Sequence, residues 1–248
     1  MKYIFGNWKM YLGYSESVDL AKDLALQNFD TQKVSLAVFP AAIASKTVAD
    51  ELQNSNFAVG AQDVMWLPSG AYTGAVSAQM FKDIGCRYAL VGHSERRHIF
   101  EEHSDTVRKK LEASREAGLI PVLCVGETKE DTEQDKRQYR LKKQLMSAFE
   151  GLRLNSGSML IAYEPVWAIG TGDACLPQDA EDIIGWIKQE IVHYSLGNVP
   201  VLYGGSVTAQ NVLSYTSISD IDGVLVGGVS TKKDEFTSLI RSVNNLYV

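Results

Sequence analysis

Eight short apolar runs recur along the chain, at 3–5, 34–39, 57–61, 88–91, 119–125, 159–163, 201–203 and 223–226. Most are continuously apolar rather than alternating, the mark of strands buried on both faces, as in a parallel sheet. Spread over 248 residues they leave about 31 per unit, close to one strand-plus-helix repeat. No linker, low-complexity tract or charge block divides the chain. Eight uninterrupted repeats predict a closed (β/α)8 barrel, an α/β fold with a closed parallel sheet, in one domain spanning 1–248. An open doubly wound sheet is the competing architecture. It usually carries its phosphate-binding glycines after the first strand, where this chain has Gly6-Asn7-Trp8-Lys9 instead of G-x-G-x-x-G.

The segments between the runs read as helices. Leu141, Leu145, Ala148 and Phe149 share one helical face, as do Ile183, Ile187 and Ile191, in a helix that Pro177 opens. Phe236, Leu239, Ile240 and Val243 form the face of a last helix, and Gly118 and Gly151 stand where helices should stop. The segment 76–84 gives a weaker helical signal.

With 45% hydrophobic and 22% charged residues the chain has a core's worth of apolar side chains and is not a disordered sequence. Its net charge of −6 is dispersed, which argues against a broad nucleic-acid footprint but leaves room for a small anionic ligand. Cys86, Cys124 and Cys175 cannot all pair, so a reducing, cytoplasmic setting is expected. The first residues read as a strand cut short by Gly6-Asn7-Trp8-Lys9, not as a signal peptide. The uncharged stretches 64–81 and 191–219 are broken by Pro, Gly, Asn, Gln or Ser, and no membrane span is expected.

In a barrel the C-terminal strand ends converge on one mouth, where chemistry sits. After the first strand come Asn7 and Lys9; after the fourth, His93, Ser94 and Glu95; after the sixth, Glu164; after the seventh, Gly204-Gly205-Ser206; after the eighth, Gly227-Gly228. Singly, each has an ordinary explanation: a solvated lysine, a capping histidine, a turn glutamate before Pro165, glycines in tight turns. Together they require five coincidences at one end of the fold. Backbone N–H groups at glycines after strands seven and eight suit a phosphate. A carboxylate base, a neutral imidazole donor and an ammonium suit proton abstraction beside a carbonyl. A metal site is not expected, since His93, His98, His103 and His193 lack helical pairing with a suitable carboxylate and the cysteines are far apart. No signature of a covalent nucleophile is present.

Six motifs in order then resemble the triosephosphate isomerase family over nearly the whole chain. They are Phe5-Gly6-Asn7-Trp8-Lys9-Met10, Gly70-Ala71-Tyr72-Thr73-Gly74, Val91-Gly92-His93-Ser94-Glu95-Arg96-Arg97, the stretch from Ala162 to Gly172 containing Tyr163-Glu164-Pro165-Val166-Trp167, Tyr203-Gly204-Gly205-Ser206-Val207, and Leu225-Val226-Gly227-Gly228. The resemblance implies interconversion of dihydroxyacetone phosphate and D-glyceraldehyde 3-phosphate without a cofactor. It implies Glu164 as base, neutral His93 as electrophile, Lys9 as electrostatic stabiliser, Glu95 in a supporting or relay role and Asn7 in contact with substrate. The phosphate would rest on N–H groups of Gly170, Ser206, Gly227 and Gly228. The segment 165–172, from Pro165 to Gly172, would be a closing lid held by Tyr203 and Glu127, and Cys124 a packing residue beside the site.

A homodimer is also implied, with the loop 66–76 entering a pocket of the second copy. There the family's usual Glu after Gly74 would pair with the arginine equivalent to Arg96; this chain has Ala75 and cannot make that pair. Tyr11, Val229 and Asp173 replace the family's usual Asn, Ala and Lys, and Val229 could crowd the phosphate loop. Two other readings compete. A different phosphate-binding barrel, such as an aldolase, lacks a lysine on the late strands for a Schiff base. A non-catalytic sugar-phosphate binder would need the loss of Glu164, His93 or Lys9, all of which are present.

Overall fold

The computed structural model describes residues 1–152, 157–168, 175–194 and 197–246. Eight parallel strands close into a barrel: β1 (Lys2–Asn7), β2 (Val34–Phe39), β3 (Phe57–Ala61), β4 (Tyr88–Val91), β5 (Ile120–Val125), β6 (Leu160–Tyr163), β7 (Val201–Tyr203) and β8 (Gly223–Val226). Each strand pairs with the next, and β1 closes on β8 in the register Tyr3↔Gly223 to Gly6↔Val226. The open doubly wound alternative is thereby excluded.

Strand alternation divides the core in two. Phe5, Phe39, Tyr88, Leu90, Val122, Leu160, Leu202 and Leu225 fill the barrel, whereas Ile4, Val38, Val59, Val91, Ile161 and Val224 pack outward against the helices. Both strand faces are therefore dry, which explains the unbroken apolar runs. The three helical faces expected from spacing lie in Arg137–Phe149, Pro177–Ile191 and Lys233–Asn245, and their apolar residues are buried. Pro177 occupies the first turn of its helix. Gly118 and Gly151 follow helix ends with φ of 77° and 74°, left-handed values that favour glycine. The weak segment 76–84 contains a short helix, Ala78–Asp83, capped by the Ser77 hydroxyl, which accepts from Met80 N–H. No helix among the described residues is long and apolar enough to cross a membrane.

Candidate active site

β1 delivers Asn7 and Lys9 to the mouth. Asn7 Oδ1 accepts the Lys9 N–H at 3.0 Å and turns the chain sharply. Lys9 sits at φ 50°, a left-handed value uncommon outside glycine. Gln62, just past β3, holds it there: its amide Nε2 donates to Lys9 O at 2.7 Å and to Phe39 O at 2.8 Å. The Lys9 side chain then reaches Glu95 Oε1 at 2.7 Å. Gln62 was not among the residues expected at the site, although the same strand-end reading applied to β3 would have found it.

β4 delivers His93, which caps the short helix Ser94–His98. His93 Nδ1 accepts the Glu95 N–H at 3.2 Å, so this nitrogen presents a lone pair and the neutral ring carries its proton on Nε2. Nε2 lies 3.1 Å from Glu164 Oε1, while Ser94 N–H donates to Glu164 Oε2 at 2.8 Å. Arg97 ties the helix to the barrel, donating to Gly92 O at 2.8 Å and to Cys124 O at 3.1 Å. Glu164 is only 2% exposed, and each of its oxygens meets a donor from the β4 loop.

The backbone of Glu164 has no room to spare. A Cβ at Gly126 would lie 1.8 Å from the Glu164 carbonyl oxygen, so only glycine fits after β5. Cys124 is fully buried beside the base; burial first, and then the neighbouring Glu164, pushes its thiol well above the usual range. A thiol held protonated in this way packs and does not attack, as expected for this position.

Gly205, Ser206, Gly227 and Gly228 line a cavity of about 310 Å³ together with Lys9, His93 and Glu164. Asn7 also lines it, as do Tyr11 and Val229. Gly228 opens a 3-10 turn, Gly228–Thr231, anchored by Ser230, whose hydroxyl and N–H both bond to Gly227 O. A Cβ on Gly228 would meet nothing within 4 Å, so its backbone faces open space. Glu95 is set back from this cavity and is joined to it through Lys9 and His93. Gly170 and Asp173 lie outside the described residues.

The segment after β6 begins with a 3-10 turn, Val166–Ala168. Glu127 Oε1 accepts from Trp167 Nε1 at 3.1 Å and from the Tyr163 hydroxyl at 3.0 Å. Burial raises the Glu127 carboxyl above its ordinary range, against the pull of Trp167 and Arg137. The Ser206 hydroxyl donates to Ala168 O at 2.8 Å. Beyond the segment, Tyr203 accepts the Cys175 N–H at 3.2 Å.

A second, larger cavity, about 570 Å³, lies beside the first around Arg96. Arg96 meets Asp63 Oδ2 at 3.3 Å and Glu102 Oε2 at 3.4 Å, both within its own chain. Lys110 completes the cluster, bonding Asp63 Oδ1 at 2.6 Å and Glu102 Oε2. Ala75 lines the same cavity, at the edge of the loop 66–76, whose base is closed by Met65 N–H to Val76 O at 2.8 Å. Among the described residues no cluster of three or more His, Cys, Asp or Glu is placed to hold a metal ion.

A family model described as "Triosephosphate isomerase" matches residues 2–243. Curated relatives carrying that name include one from Synechococcus sp., 40% identical over 245 residues, covering 96% of this chain and 95% of the relative. One from Dehalococcoides mccartyi is 39% identical over 243 residues, covering 96% and 94%. One from Francisella philomiragia is 38% identical over 249 residues, covering 99% and 98%.

Proposed function

Because this chain belongs to the triosephosphate isomerase family, we propose that the cavity between Glu164 and the Gly227-Gly228 turn is where it interconverts dihydroxyacetone phosphate and D-glyceraldehyde 3-phosphate. Glu164 takes the proton from C1 of the ketone substrate, and the C–H pair becomes the C1=C2 bond of an enediolate. His93 supplies the Nε2–H that meets the developing charge on the carbonyl oxygen. Returning the proton from Glu164 to C2, while the O1 proton passes to O2 by way of His93, gives the aldehyde with its C2 hydroxyl. One base serves both carbons because they are adjacent on the same face of the intermediate. Lys9 offsets negative charge on substrate and intermediate, Asn7 contacts substrate, and Glu95 holds the Lys9 ammonium in place. N–H groups of Ser206, Gly227, Gly228 and Gly170 receive the phosphate, and the segment 165–172 closes over it. No cofactor is required for these steps.

The observation that carries the assignment is the pair of bonds on one imidazole. With Nδ1 occupied by Glu95 N–H, the proton sits on Nε2, 3.1 Å from the carboxylate proposed as base. A neutral imidazole is a better match than its cation for an enediolate that must form and collapse within one turnover. A coupled isomerase assay with D-glyceraldehyde 3-phosphate tests this. The wild-type chain should turn over, and Glu164→Ala should bind the sugar phosphate with little turnover. Binding without turnover in the wild type would instead favour a non-catalytic sugar-phosphate binder.

We further propose a cytoplasmic homodimer in one domain per chain. Met10, Ile99 and Phe100 are strongly exposed, and Phe100 borders the larger cavity, which is open to a loop from a second copy. Sedimentation at decreasing concentration would reveal a monomer if this pairing is wrong.

A further inference from the structure

Cys175 is gripped from both sides by tyrosine hydroxyls. Tyr203, the last residue of β7, accepts its N–H at 3.2 Å. Tyr215, in the short helix Val212–Thr216, donates its hydroxyl to the Cys175 carbonyl at 2.6 Å. The two rings lie stacked, with centroids 4.2 Å apart and planes 14° from parallel. Cys175 is thus held at its N–H by Tyr203 and at its C=O by Tyr215, and the two tyrosines stack on each other. Cys175, Tyr203 and Tyr215 are buried, at 1%, 0% and 2% exposure, so no water is at hand to replace a missing hydroxyl.

Tyr215 does not line the catalytic cavity, and packing alone would be served by a phenylalanine. Phenylalanine would leave the Cys175 carbonyl without the hydroxyl that bonds it. At the other end of the same connection, Ala168 O and Trp167 are held by Ser206 and Glu127. Those anchors come from the mouth of the barrel; Tyr215 comes from a helix beyond it. We propose that Tyr215 is a positioning residue for the reaction, fixing the trailing end of the β6–Pro177 connection through Tyr203 and the backbone of Cys175. The inference rests on the reading of 165–172 as a lid.

The test compares Tyr215→Phe, Tyr203→Phe and the double variant. Each is assayed for kcat, KM, melting temperature and the fraction of turnovers that end in elimination. In elimination the enediolate charge on O1 returns as C1=O, the C1=C2 pair moves to C2=C3, and phosphate leaves with the C–O pair. The resulting enol becomes methylglyoxal. This fraction is a ratio between two fates of one intermediate, so it does not depend on how much enzyme is folded. Tyr215→Phe should raise it by roughly 3- to 10-fold and lower kcat/KM comparably, since a cover anchored at one end excludes water less well. The double variant should fall short of the sum of the two single effects, because both hydroxyls act on the peptide groups of the same residue, Cys175. A Tyr215→Phe variant that melts earlier but keeps the wild-type elimination fraction, while Tyr203→Phe raises it, overturns the role of Tyr215. If neither tyrosine moves the fraction while Glu164→Ala still abolishes turnover, the lid reading itself has failed and the inference with it.

Discussion

The two cavities beside the barrel mouth are built from similar residue types to opposite ends. In the larger, every cation has carboxylates close by: Lys110 lies between Asp63 and Glu102, and Arg96 spans the same two. In the smaller, Glu164 meets only neutral donors, a backbone N–H and an imidazole. A buried lysine shared between two carboxylates, as Lys110 is, has less left to give a ligand than Lys9, which has the single partner Glu95. A buried carboxylate held by neutral hydrogen bonds can exchange them for substrate. The larger cavity holds this ion-pair cluster, and the smaller one the groups proposed to react.

The contrast predicts that damage to the larger cluster appears in stability and damage to the smaller in turnover. Lys110→Met removes a cation that is 4% exposed and leaves Glu102, 3% exposed, leaning on Arg96 alone. Breaking a buried pair in this way should destabilise the fold by about 3–5 kcal/mol, read from urea unfolding. The kcat of the folded fraction should change little; a matching collapse of kcat would erase the distinction.

Glu164→Asp makes the complementary change. It keeps the charge and retracts the carboxylate by about one bond length, so kcat should fall by on the order of 100-fold or more. KM and urea stability should move far less. Near-normal turnover would remove Glu164 from the base role.

A smaller effect tests the flank of the site. Burial alone would raise the Asp131 carboxyl, but Arg140 and Thr128 overcome it and hold the group below its ordinary value. Its folded pKa thus lies below its unfolded one. The stabilisation is present above the unfolded value and is lost as pH falls through the folded one. Asp131→Asn should therefore lower the melting temperature at neutral pH and converge with wild type in strong acid. A constant difference at every pH would mean that the carboxylate's charge is not what matters.

The smallest change is expected from Ala75→Glu. Arg96 already has two carboxylates in its own chain and is 33% exposed, so a third should tighten a dimer by less than about 0.5 kcal/mol. A much larger gain in sedimentation, lost again on adding Arg96→Ala, would show that Asp63 and Glu102 do not satisfy the arginine.

The barrel was legible because both faces of each strand are dry, and the runs at 34–39, 57–61 and 88–91 coincide with β2, β3 and β4. β1 extends past its run to Asn7, because parallel pairing with Phe39 does not require an apolar side chain. The helix Ser104–Glu116 was harder to read, since its buried face carries Lys110 and Ser114 beside Val107 and Leu111. A buried lysine makes sense only once Asp63, distant in sequence, is seen next to it. Lys9, His93 and Glu164 could be picked out because polar residues at the ends of apolar runs stand out. Gln62 stands at the end of the β3 run and could have been found the same way, whereas Tyr215 acts on a backbone group of another segment and no local pattern announces such a partner.

The pairing of β1 with β8 means that the ring has no intrinsic first strand. Lys2 N–H donates to Lys33 O, and Asn244 Oδ1 accepts the Asp30 N–H, so β1 and the helix Lys233–Asn245 meet the same turn below the barrel. Gly118 lies at that same lower end, between a helix and β5, away from every group proposed to touch substrate. A chain begun there, with its old ends joined by a short flexible linker, would thread the same eight repeats in rotated order. Where synthesis starts is thus a matter of history, and the mouth of the barrel is indifferent to it.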